Sequence, residues 1–170
     1  MKLVITGAAG MLGTHIRAFF EYHSKMFDEV VAIDRAGFND RRVLDRAMAG
    51  AGVVIHCAGV NRATPDEVRH ANRLIAEHLV NALNRVDFSG VLVYTNSTHS
   101  NAETDYGVGK QEASDHFAGW AKAVGGSYVD LVLPHVFGEF GRPEYNSVVH
   151  TFANNLAAGL ELVVNGDGKL

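Results

Sequence analysis

Leu3-Val4-Ile5-Thr6-Gly7-Ala8-Ala9-Gly10-Met11-Leu12-Gly13 is the stretch from which the fold can be read. Its apolar start is short and unbroken, the pattern of a strand buried on both faces of a parallel sheet. Three glycines follow at Gly7, Gly10 and Gly13, and a helical apolar period then runs over residues 11–22. Glycines at a strand-to-helix turn let the backbone bend tightly and approach a pyrophosphate. The helix N-terminus then offers that anion its free N–H groups. A competing reading is a Gly-rich turn that merely needs positive φ. Strand before, helix after and the alternation beyond favour the cradle, although the spacing is G-x-x-G-x-x-G and not G-x-G-x-x-G.

Working outward, short apolar runs at 3–6, 29–34, 52–56, 90–95 and 128–133 alternate with helical patterns at 11–22, 42–49, 65–85 and 106–124. The third helix opens with Thr64 at the N-cap, Pro65 at the first position and acidic Asp66 and Glu67, a well-formed start. Strand–helix alternation without hairpin turns predicts right-handed βαβ units in a doubly wound α/β sheet of Rossmann type. We read residues 1–137 as this dinucleotide-binding domain. Residues 138–170 read as the start of a small C-terminal substrate subdomain that the chain does not finish. It holds a Gly/Pro loop, a helix at 147–158, a strand at 161–164 and a turn at Asn165-Gly166-Asp167-Gly168.

The 170 residues are 47% hydrophobic, enough for one well-packed core, and a net charge of −4 recommends neither nucleic acid nor membrane. The single cysteine, Cys57, follows the core-like run Val53-Val54-Ile55-His56 and reads as a buried, inert thiol. The first apolar run is too short for a signal peptide, so a cytoplasmic location is expected.

Chemistry concentrates at Ser97, Tyr106 and Lys110. Tyr-x-x-x-Lys at a helix start puts both side chains on one face, one turn apart. A phenol is a poor acid or base at neutral pH, and a nearby ammonium is expected to lower its pKa and also to hold a nicotinamide ribose. Ser97, just upstream, would hydrogen-bond the substrate oxygen. The bland alternative is an amphipathic helix with a surface lysine. Asp34, closing the second strand, can accept from adenosine ribose hydroxyls and favour NAD, whereas Arg35 can pair with the 2′-phosphate of NADP. The two clues disagree. The histidines lack metal-ligand spacing: His56 reads as a packed polar residue near the cofactor, and no metal is expected.

On these residues the chain resembles the extended short-chain dehydrogenase/reductases, the NAD-dependent epimerase/dehydratase family. The supports are the Thr6–Gly13 motif, His56-Cys57-Ala58-Gly59, Asn72, Ser97, Tyr106-x-x-x-Lys110 and Pro134-x-Val136-Phe137-Gly138. A narrower resemblance rests on Ala58-Gly59-Val60-Asn61-Arg62, the short Ser97-to-Tyr106 connection and Arg142-Pro143-x-Tyr145-Asn146-Ser147-Val148-Val149. These are similar to capsular-polysaccharide reductases that act on UDP-2-acetamido-2,6-dideoxy-hexuloses, typically with NADPH.

The resemblance implies NAD or NADP as cofactor, with Gly7, Gly10, Met11, Leu12 and Gly13 on pyrophosphate. Asp34, Arg35, Ala58, Gly59, Asn72, Lys110 and Pro134 complete the implied cofactor set. Asn61, Arg62, His135, Arg142 and Asn146 fall near the nucleotide sugar. Val132 stands where the family usually has Arg, and His135 where it usually has Asn. Reduction of a sugar ketone is the leading expectation. An epimerase shares its first step, a dehydratase ranks third, and a non-catalytic dinucleotide-binding remnant or sensor is the alternative from another class. Members often pair through the helices here at 65–85 and 106–124, which makes a homodimer a further expectation.

Overall fold

The computed structural model describes residues 1–23, 25–145 and 147–164. It contains two compact units, Met1–Pro134 and a second beginning at His135. The first holds strands β1 (Lys2–Thr6), β2 (Glu29–Ile33), β3 (Ala51–His56), β4 (Val91–Ser97) and β5 (Ser127–Leu133). Between them lie helices α1 (Met11–Tyr22), α2 (Arg35–Asn39), α3 (Arg41–Met48), α4 (Pro65–Arg85) and α5 (Asp105–Val124). The strands form one sheet in the order β2-β1-β3-β4-β5. Every neighbouring pair is parallel, as a Rossmann-like fold requires.

The unbroken apolar runs have a simple cause. On β1, Leu3 and Ile5 enter one core with Ile16, Phe20 and Phe27, while Val4 enters the other. That second, larger core collects Phe38, Leu44, Met48, Leu79, Leu83, Leu92, Phe117 and Trp120 from α2 through α5. Both faces of β1 are therefore dry. His56, only 1% exposed, belongs to this interior. Its ring stacks near Tyr94 and meets Phe117 edge-on, and its Nδ1 lies 2.6 Å from the Thr6 hydroxyl. Burial, aided by the nearby Lys110 ammonium, pushes its pKa down to about 3.

Most element ends fall within a residue of the sequence reading, and three departures from it have a physical cause. β2 stops at Ile33, because Asp34 turns its carboxylate onto the amide of Gly37 (2.8 Å) and caps α2. That five-residue helix is too short to show a period in sequence. β4 runs on to Ser97, extended by its pairing with Leu133 of β5. Residues 161–164 do not form the expected strand: no strand among the described residues pairs with them, and an apolar run without a ladder stays irregular.

The start of α4 is as expected, with Thr64 and the Glu67 carboxylate bonded reciprocally in a capping box. Arg85 clamps Asp45 across α4 and α3, and Arg69 pairs with Glu112 across α4 and α5. The second unit contains α6 (Val148–Ala157), with no buried residue along it. Its loop is tied to it by His150, whose Nε2 lies 2.8 Å from the Gly138 carbonyl, and by the Glu144 amide donating to the Thr151 hydroxyl. The Gly-Asp-Gly turn expected at 165–168 lies outside the described residues. None of the described helices is long and apolar enough to cross a membrane.

Candidate active site

The cradle forms where the carboxyl ends of β1 and β3 meet, at the point where the strand order reverses. Gly7 has φ +71°, and a Cβ there would stand 2.6 Å from the Ala58 backbone nitrogen. A Cβ on Gly13 would overlap the Gly7 carbonyl. Neither position tolerates a side chain, so the backbones of the turn, of α1 and of the loop after β3 lie against one another. Gly10 is the N-cap of α1 and has no side chain with which to cap it. The first-turn amides of Met11, Leu12 and Gly13 have no intrahelical acceptor, which leaves them for an anion or water. These residues fit a dinucleotide pyrophosphate.

Asp34 and Arg35 sit at the carboxyl end of β2, as expected for an adenosine ribose site. Asp34 Oδ1 is already engaged in capping α2, and Arg35 is exposed.

The end of β4 and the first turn of α5 bring Ser97 and Tyr106 within hydrogen-bond reach of each other. Thr104 caps α5 through its hydroxyl, which accepts from Gly107, and so fixes where Tyr106 enters the helix. Lys110, one turn on, is only 6% exposed. Its Nζ donates to the Thr95 carbonyl (2.7 Å) and lies 4.0 Å from the Tyr94 ring centroid. Burial pushes this amine down to about 8, opposed by attraction to Asp130.

The sequence argument expected Lys110 to lower the Tyr106 pKa. The structure corrects it. Burial raises the Tyr106 phenol above its ordinary value, and the opposing pull comes from a hydrogen bond with Ser97. The Lys110 ammonium makes its hydrogen bond to the Thr95 carbonyl and rests over the Tyr94 ring, whereas the Tyr106 phenol is bonded to Ser97. A neutral phenol is the form that can give a proton.

Asn72, implied as a cofactor contact, is 3% exposed and holds the loop after β3. Its Nδ2 donates to the carbonyls of Val60 (2.7 Å) and Val68 (2.8 Å), and its Oδ1 accepts from the Val60 amide. That loop carries Ala58, Gly59, Asn61 and Arg62. Asn72 thus shapes the wall from which those residues act. Pro134 ends the first unit, and it has no N–H with which to continue a ladder. His135 and Arg142 belong to the second unit, where the Arg142 guanidinium lies 5.9 Å from the Tyr145 ring. Asn146 lies outside the described residues. Cys57 is a weak acid, its thiol pushed up to about 11 by burial. No group of three metal-binding side chains occurs among the described residues.

The sequence profile of the NAD dependent epimerase/dehydratase family matches residues 3–170. This chain is a member of that family. Among curated relatives, it is 30% identical over 166 residues to the UDP-2-acetamido-2,6-beta-L-arabino-hexul-4-ose reductase of Pseudomonas aeruginosa, covering 97% of this chain and 44% of that one. Among solved structures, the capsular polysaccharide assembling protein CapF of Staphylococcus aureus superposes with a TM-score of 0.79 at 26% identity, over 98% of this chain and 44% of that one. The fold is shared with DesIV, a dTDP-glucose 4,6-dehydratase of Streptomyces venezuelae. There the TM-score is 0.80 at 18% identity, over 98% of this chain and 66% of that one. The chain thus spans less than half the length of this reductase and of CapF. Its cofactor class as a family member is NAD(P).

Proposed function

We propose that this epimerase/dehydratase family member belongs to a reductase of a keto group on a UDP-deoxyhexulose. The observation that carries the reading is the Ser97–Tyr106 pair at the end of β4, with the buried Lys110 one turn on. The match to a nucleotide-sugar reductase supports the substrate class.

Ser97 holds the substrate oxygen by hydrogen bond, beside the phenol. Tyr106, kept neutral by burial, gives its proton to that oxygen as charge develops on it. Lys110 anchors the nicotinamide ribose, and the Ser97 hydrogen bond steadies the phenolate left behind. A bound nicotinamide dinucleotide supplies the hydride. The first-turn amides of α1 bind its pyrophosphate and fix its distance from Ser97 and Tyr106. Asn61 and Arg62, on the loop after β3, are the proposed sugar-nucleotide contacts of the first unit, and the resemblance to the family extends that role to His135, Arg142 and Asn146. An epimerase would run the same proton step in both directions. A second reading is a dinucleotide-binding module without turnover of its own, since the glycine cradle binds a cofactor whether or not chemistry follows.

The deciding experiment is titration of NADH and NADPH followed by nicotinamide fluorescence, then assay with UDP-2-acetamido-2,6-dideoxy-hexuloses. The expected result is saturable binding and ketone-dependent oxidation of the preferred cofactor. Preference for NADH assigns the choice to Asp34, and preference for NADPH assigns it to Arg35. Binding without turnover selects the module reading, and binding of neither cofactor removes both. Homodimerisation through α4 and α5 is part of the proposal. Those helices carry a shallow depression of about 360 Å³ lined in part by Val80, Trp120 and Val124. Light scattering should give twice the monomer mass, and a monomer at all concentrations would sink this part.

A further inference from the structure

Asp130 on β5 lies outside every motif the sequence singles out, yet its carboxylate sits at a junction of the site's supporting bonds. Asp130 Oδ2 accepts from Asn96 Nδ2 (3.0 Å) and from the Ser114 hydroxyl (3.0 Å). Ser114 in turn lies 3.0 Å from the Tyr128 hydroxyl. Asn96, 4% exposed, uses its Oδ1 to accept the backbone N–H of Ser97 at 2.8 Å. The pairing of Tyr94 with Asp130 in the β4–β5 ladder puts Tyr94, Asn96 and Asp130 on one face, toward α5. We propose that Asp130 is a positioning residue of this centre: it anchors Asn96, which fixes the backbone of Ser97, and its carboxylate attracts the Lys110 ammonium, which rests over Tyr94, the ladder partner of Asp130. The proposal rests on the Ser97–Tyr106–Lys110 reading above.

The charges around Lys110 support the second role. Burial keeps His56 neutral, with its pKa near 3. The Cys57 thiol, pushed up to about 11, is uncharged at neutral pH. Tyr94, Tyr106 and Tyr128 are all raised by burial and remain neutral phenols. Among the groups that act on Lys110, the carboxylate of Asp130 makes the larger favourable contribution to its charged form. It opposes the burial that pulls the amine down.

The test uses ligand-free protein with 13C-labelled lysine, assigning Lys110 by Lys110→Arg and following its Cε shift against pH. The amide exchange of Ser97 is measured alongside. Asp130→Asn keeps an acceptor for Asn96 but removes the charge. It should lower the Lys110 midpoint by roughly half to one pH unit and leave Ser97 exchange unchanged. Asp130→Ala removes both and should also speed Ser97 exchange about fivefold. An unchanged Lys110 midpoint in both variants, or an unchanged Ser97 amide in Asp130→Ala, overturns the proposal. If the alanine variant does not fold, the near-isosteric asparagine still decides through Lys110. Absence of turnover in the wild-type chain would sink the reductase reading and leave both readouts standing.

Discussion

Tyr106→Phe should lower ketone reduction by about a thousandfold or more and change the dissociation constant for the nicotinamide cofactor by less than about threefold. The substitution deletes one oxygen and keeps the half-buried ring. What is lost is the proton donor beside Ser97 and its hydrogen bond there. General acids of this kind contribute about 10²–10⁴ in rate. On the proposed reading the cofactor's pyrophosphate is bound by the first turn of α1, a different element from the one that carries Tyr106. Folding stability should move by no more than about 1 kcal/mol, the net worth of one hydrogen bond. Steady-state kinetics with a paired fluorescence titration decides the matter. A variant that retains turnover, or one that loses cofactor binding in parallel, would show that Tyr106 is not the proton donor.

Acid should destabilise the protein strongly, through His56. Its folded pKa lies near 3 against an ordinary 6.5. Between those values the unfolded chain binds a proton that the folded chain refuses. Stability is therefore fully present above pH 6.5 and declines as pH falls toward 3. The slope approaches about 1.4 kcal/mol per pH unit, and the total is on the order of 4 kcal/mol. The paired carboxylates of Asp45 and Glu112, held low by Arg85 and Arg69, lose their stabilisation only at lower pH. Urea unfolding between pH 7.5 and 4.5 isolates the histidine. In His56→Phe, the ring still packs beside Tyr94 and Phe117, and the curve over that window should flatten by about one proton. Parallel curves for wild type and variant would mean that His56 titrates normally.

The legible parts of this fold were those in which one residue type dictates one geometry. Unbroken apolar runs marked the strands, because both faces of β1 are buried. The Gly7–Gly13 turn was visible because only glycine fits where backbones touch. The placement of Ser97 at a strand end, and of Tyr106 and Lys110 one turn apart on α5, was visible because strand end, cap and helical spacing are local. Asp34 as the cap of α2 was not, since one carboxylate can close a strand or open a helix. The hydrogen bonds of Asn72 to Val60 and Val68 were not legible, because they depend on how the loop after β3 meets α4. The Asn96–Asp130 bond depends on the β4–β5 register, which spacing along the chain does not reveal. The electrostatics of Tyr106 failed for a related reason: proximity to Lys110 was legible, but the competing Thr95 carbonyl was not.

The parallel sheet has a kinetic consequence. β1 is synthesised first yet occupies an interior position, and one of its two edges stays open until β3 arrives through the α2 and α3 crossover. Non-local pairings of this kind delay folding and keep apolar edges exposed meanwhile. Gly7 closes against Ala58 only after β3 has docked beside Thr6. The nucleotide cradle therefore cannot exist in a half-assembled chain. During refolding, the appearance of cofactor affinity would clock the completion of the sheet's centre.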